Sequence, residues 1–180
     1  MIRALTLVAF LAPPLAHADP TPAKVPKVAV HPICQMVEGR IRQEYPKDHR
    51  RRLLACSEML WEAAKRKIDL PLTLELAWGE SRFSPASINP RSGCSGILQA
   101  APRWWCPNGK REGCDLLDAG LDALEAYLAK HKDEEKALCH FKSGNVCNPV
   151  GLRGSKKTMT RVHRLRRRVR ALKMKHKDAT

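Results

Sequence analysis

Glu80 closes an apolar run of sequence and leads into Ser81-Arg82-Phe83-Ser84-Pro85, followed after a gap by Gly96-Ile97-Leu98-Gln99. A carboxylic acid in such a setting is suited to proton transfer. On a helix, Thr73, Leu76 and Ala77 share a face with Glu80, at spacings of seven, four and three. The carboxyl then stands at the C-terminal end of that helix, at the edge of an apolar surface. Partial burial disfavours its ionised form, and so does the negative end of the helix dipole. Both favour the protonated state that a general acid needs. A lone glutamate at a helix end is by default a solvated residue, so its neighbours have to carry the reading. No Asp or Glu occurs between Ser81 and Arg111. Retaining and inverting glycosidases need a second carboxylate across the scissile bond, and this stretch offers none.

The helix carrying Glu80 is expected over Pro71 to Glu80, with Pro in its first turn and Asp69 as N-cap. Before it, Ile33, Met36, Val37 and Ile41 set a helical period up to Tyr45, and Pro46-Lys47-Asp48 breaks it. A second helix, His49 to Lys67, has Leu53, Leu54, Cys56, Leu60, Trp61 and Ala64 as its stripe, which assigns Trp61 to the core. Arg50-Arg51-Arg52 reads as a solvated first turn. From Phe83 to Gly113, Pro, Ser, Asn and Gly dominate, giving a long loop broken by one short helix around Gly96 to Ala101. Trp104 and Trp105 follow. An exposed indole is a platform for the C–H face of a sugar, and we expect one of the two on a cleft wall and the other packed beneath the loop.

Asp115 to His131 is a core helix through Leu117, Leu121, Leu124 and Leu128, and Asp133 to about Lys142 a shorter one capped by Ser143-Gly144. Asn148 to Ser155 reads as a loop. From Lys156 to Lys177 Lys and Arg dominate, yet Met159, Val162, Leu165, Val169 and Leu172 keep helical spacing. That is a basic amphipathic helix, expected to dock its stripe on the core and turn its charges outward. The same charges would hold the protein on an anionic wall polymer or membrane surface.

The first residues have a positive start, a short apolar run and Ala16-His17-Ala18, which together read as a signal peptide over 1–18. A Pro-, Ala- and Lys-rich lead-in occupies 19–32, a globular domain 33–150, and the basic helix 151–180. Export makes the seven cysteines a disulfide framework. Cys34–Cys56 would tie the first two helices and Cys139–Cys147 would close a short loop. Cys94, Cys106 and Cys114 would then supply one bridge and one odd thiol. No C-x-x-C pair occurs, and no zinc site is expected. The net charge of +15 attracts polyanions in general; in an exported protein nucleic acid is not the expected partner.

Glu-Ser-x-Phe-x-Pro followed by Gly-x-x-Gln resembles the active-site signature of the soluble lytic transglycosylases, relatives of goose-type lysozyme. The likeness covers about Pro71 to Gln99, with an echo at His140-Phe141-Lys142-Ser143-Gly144. It implies an all-α, lysozyme-like single domain with disulfide-braced loops. It also implies cleavage of the MurNAc-β-1,4-GlcNAc bond of peptidoglycan, with formation of a 1,6-anhydro ring, by a monomer that needs no cofactor or metal. Glu80 would be the single acid and base, Ser81 would orient it, and Gln99 with the Gly96, Ile97 and Leu98 backbone would line the substrate site. The family's echo reads Ala-Tyr-Asn-x-Gly, with the Tyr hydroxyl reaching the catalytic Glu. Phe141 lacks that hydroxyl, for which His140 is a candidate substitute. Lys142 stands where an amide is usual, and an ammonium beside Glu80 would oppose its acid role. A hydrolytic muramidase using the same Glu80, and a catalytically weak cationic wall-binding or antimicrobial protein, are the alternatives.

Overall fold

The computed structural model describes residues 29–144 and 146–177. The expected signal peptide, and the lead-in as far as residue 28, lie outside the described residues. Seven helices follow in order: α1 Pro32–Glu44, α2 His49–Lys65, α3 Leu70–Ser81, α4 Pro102–Trp105, α5 Leu116–Lys130, α6 Glu134–Ser143 and α7 Pro149–Lys177. Among the described residues there is no strand beyond isolated bridges joining Ile88 to Ser95 and Ser95 to Ala100. The chain is all-α. None of these helices is long and apolar enough to cross a membrane.

Side-chain caps start the helices where the sequence puts them. Asp69 accepts from the Leu72 N–H at 2.8 Å, Asp115 from Leu117 and Asp118, and Asp133 from Lys136. α3 is the centre: every residue from Pro71 to Trp78 is buried. α1 and α2 cover one side of it, α7 another, and α7 also lies on α6, which lies on α5. Phe83, Ile97 and Leu98 fold back into this core from the loop, and Met159, Val162 and Leu165 enter it from α7. A small second cluster, with Ala100, Cys106 and Ala119 at its heart and Trp105 against them, lies under α4.

Three disulfides brace the frame: Cys34–Cys56 joins α1 to α2, Cys106–Cys114 closes the loop after α4, and Cys139–Cys147 ties α6 to the start of α7. Cys94 is the odd thiol.

The structure corrects four readings. The segment 96–101 is a series of turns, and the short helix falls later, at Pro102–Trp105, because Pro102 can begin a helix but not continue one. The supposed loop 148–155 is the beginning of α7: Asn148 Oδ1 accepts from the Gly151 N–H at 2.8 Å and Pro149 takes the first turn. Trp61 is 42% exposed, edge-on to the His31 ring, and not in the core. Arg52 does not belong to a solvated turn; Arg50 and Arg51 do, but its guanidinium lies over the Tyr45 ring at 3.8 Å.

Gly120 on α5 faces Leu98 so closely that a Cβ there would sit 2.7 Å from the Leu98 Cβ. Gly120→Val should therefore lower stability by about 3 kcal/mol, the upper range for overpacking. Gly39, on the exposed side of α1, has nothing within 4 Å of such an atom, so Gly39→Ala should raise stability by about 1 kcal/mol. Urea midpoints of the two variants read both effects.

Candidate active site

The site begins where α3 ends. Arg82 takes the left-handed conformation at φ 56°, and Phe83 follows at φ 61°. The last helical carbonyls would lack partners there. Arg52 supplies one, donating to the Arg82 carbonyl at 2.7 Å and, at 3.3 Å, to that of Ser81. Ser81 Oγ donates to the Ile97 carbonyl at 2.7 Å and accepts from the Ser84 N–H at 3.2 Å. Ser81 thus ties the loop to the helix end, and its hydroxyl is engaged there and not on Glu80. Gln99 is also left-handed, at φ 54°, and its Nε2 donates to the Gly96 carbonyl at 2.9 Å and that of Ser87 at 3.2 Å. Non-glycine residues in this region cost roughly 1–3 kcal/mol each. Three of them stand around one helix end.

Glu80 is 19% exposed at its side chain and accepts a charge-assisted hydrogen bond from the Lys142 ammonium, itself 14% exposed. The two come from α3 and α6, sixty-two residues apart in sequence. Small residues make room for the lysine: a Cβ at Gly79 would lie 3.6 Å from Lys142 Nζ, and one at Gly154 3.1 Å from its Cδ.

Lys142 is also a wall of a cavity of about 480 Å³ that it shares with Gln99, Trp104, Trp105, Tyr127 and Phe141. Glu80 meets this cavity through Lys142 and is not itself one of its walls. Trp104 is 68% exposed at the rim, with the Arg103 guanidinium 4.9 Å from its ring. Trp105 packs inward on Tyr127, at 6.2 Å between centroids. Gly96, Ile97 and Leu98 do not line the cavity: Ile97 and Leu98 are core residues, and Gly96, at φ +81°, lies against Leu116. A Cβ on Gly96 would come 2.9 Å from the Leu116 Cβ.

His140 is turned away from Glu80. Its Nδ1 lies 3.3 Å from the Gly144 carbonyl, and its ring stacks on His131 at 4.2 Å. Burial, and then the neighbouring His140, hold the His131 imidazole below its ordinary value. His140 therefore makes no hydrogen bond to Glu80. The phenol that does reach the cavity is Tyr127 of α5, with its ring 6.3 Å from Phe141 and 6.4 Å from His140. The leucine period of α5 does not single it out. The available signal was that Tyr127 sits beside the Leu117–Leu128 stripe and not on it.

Among the described residues no group of three or more His, Cys, Asp or Glu side chains could hold a metal ion. Cys139 and Cys147, the thiols nearest His140 in sequence, form a disulfide. A larger cavity, of about 1300 Å³, lies between α1 and α7 and is lined by none of the candidate catalytic or substrate-binding residues. Of its charged walls, Asp69 and Glu134 are both paired with Arg166. Comparison with protein-family models, curated proteins and solved structures finds no match to the chain.

The Glu80–Lys142 contact makes a double-mutant cycle informative. Glu80→Gln and Lys142→Met should each destabilise the fold, and the double variant should be less affected than the sum, with a coupling of about 1 kcal/mol or more. Additive losses in urea titrations would mean that the two charges do not interact in solution.

Proposed function

We propose that the protein is a peptidoglycan lytic transglycosylase with a lysozyme-like fold and with Glu80 as its single acid and base. The observation that carries this reading is the meeting of Glu80 with Lys142. Two stretches that resemble one family's site, at 80–99 and 140–144, come together at one end of the helical core although nothing in their sequence separation requires it. Gln99 and the exposed Trp104 stand on the same cavity, one a polar wall and the other a platform for a sugar ring.

In this mechanism Glu80 donates its proton to the glycosidic oxygen as the bond from C1 of the muramic acid to that oxygen breaks. The carboxylate so formed takes the proton of the muramic acid 6-hydroxyl while O6 bonds to C1, closing the 1,6-anhydro ring and returning Glu80 to its acid form. The substrate supplies the nucleophile, so one carboxylate suffices, consistent with the acid-free stretch after Ser81. To carry the proton Glu80 must first part from Lys142. The three disulfides fit an oxidising compartment, and we place the protein in the periplasm or outside the cell.

The same ion pair favours a second reading, a cationic wall-binding protein on an inherited site. Digestion of purified peptidoglycan by wild type and Glu80→Gln, with products resolved by mass spectrometry, separates the two. Anhydro-ended muropeptides from the wild type, falling at least about 100-fold in the variant, are expected. Reducing ends would make the enzyme a hydrolase. Wall binding without release by either protein would leave only the second reading.

A further inference from the structure

The outer face of α7 carries a row of cations that the fold does not neutralise. No Asp or Glu occurs between Cys147 and Lys177. The arginines that face inward have partners: Arg161 Nε donates to Glu75 at 2.7 Å, and Arg166 grips Glu134 at 2.9 and 2.7 Å. The outward ones differ. Arg153, Lys156, Lys157, Arg164, Arg167 and Arg168 are exposed, and among the described residues none has a carboxylate within 4.0 Å. Their positions keep to one side of the helix over about 22 Å, at 1.5 Å per residue.

Beside this row is a notch of about 180 Å³ between α1 and α7. Arg40, Arg161, Arg164 and Arg168 line it around the single carboxylate of Glu75, so positive charge is in excess. Guanidinium groups present paired N–H donors that match phosphate oxygens. We infer that α7 binds a flexible, linear phosphodiester polymer of the glycerol-phosphate type, laid along its outer face with one phosphate in the four-arginine notch.

Other polyanions fit this face less well. Met159, Val162 and Leu165 are buried in the core, so along this stretch α7 has no apolar side left to enter a bilayer. The helix contains no Phe, Tyr or Trp, so it offers single-stranded nucleic acid no stacking platform. A notch of this size admits one phosphate of a pliable chain, whereas a duplex holds its phosphates on a stiff surface.

The inference is independent of glycan cleavage, and Glu80→Gln should bind the polymer as wild type does. The test is fluorescence anisotropy of the full-length protein with labelled synthetic poly(glycerol phosphate), across a salt series. Arg164→Gln/Arg168→Gln, with its helical circular dichroism unchanged, should bind at least ten-fold more weakly. Its log–log salt slope should be shallower by about 1.4, at about 0.7 per lost phosphate contact on a flexible chain. Arg50→Gln/Arg51→Gln removes the same charge from the exposed start of α2 and should change affinity less than two-fold. Equal weakening by both pairs would overturn the inference in favour of net charge alone. Tighter binding to duplex DNA or to phosphatidylglycerol vesicles, at equal phosphate concentration, would overturn the choice of partner.

Discussion

α3 has no wet side, and the rest of the chain is arranged by that constraint. A helix buried from Pro71 to Trp78 has to be enclosed by other helices, and α1, α2 and α7 do so. Its one interior charge, Glu75, is 6% exposed. A carboxylate at that depth, left alone, would cost several kcal/mol. Arg161 answers it through Nε at 2.7 Å and also donates to the Glu75 carbonyl at 3.3 Å. The C-terminal helix is therefore bound to the central one by a charge as well as by its apolar stripe. Only the last turn of α3, from Gly79 to Ser81, emerges from this enclosure, and it carries Glu80 out to the place where α6 arrives.

Much of this was legible because it depends on local rules. Apolar period and Asp caps place α1, α2, α3, α5 and α6 to within a few residues, and the docked stripe of α7 follows from Met159, Val162 and Leu165. The Cys34–Cys56 and Cys139–Cys147 bridges are the two pairings that the sequence favoured, one between the first two helices and one across a short loop, among many that seven cysteines allow. What was not legible depends on neighbours that are remote in sequence. Gly151 and Gly154 look like loop residues, yet they are helical, and their lack of a side chain leaves space for others. A Cβ on Gly151 would meet Ser143 Oγ at 2.6 Å, and one on Gly154 the Lys142 side chain. Trp61 has the period of a core residue but lies where the N-terminus of α1 ends its cover of α2, beside His31. Arg52 reads as one of three equivalent arginines, and the Tyr45 ring and the carbonyls at the end of α3 distinguish it.

The candidate site was legible in its residue types and less so in its geometry. Glu80, Gln99, Trp104, Trp105, Phe141 and Lys142 gather at one end of the helical core, whereas His140 faces α5 and the Ile97 and Leu98 side chains fill the core. A motif names residues without saying which atoms they present. Ser81 illustrates this, since its hydroxyl is committed to the Ile97 carbonyl and the Ser84 amide and fixes the loop to the helix end. Tyr127 illustrates the converse: a residue outside any motif takes a wall of the cavity because α5 has to lie against α6.

The pairing of Glu80 with Lys142 does not by itself decide between a working acid and a silent one. Opposite charges about 4 Å apart attract by about 4 kcal/mol near a protein surface, but desolvating two partly buried ions takes back much of that gain. A polyhydroxylated ligand can in turn offer the ammonium hydrogen bonds of its own. Lys142 is a wall of the cavity as well as the partner of Glu80. A glycan seated against Trp104 would reach the same cavity wall that carries the ammonium. Under the proposed mechanism, the ligand that needs the proton also supplies the means of freeing it. In a protein that only binds wall, the lysine would instead stay with Glu80 and leave the contact to the indole and the cations.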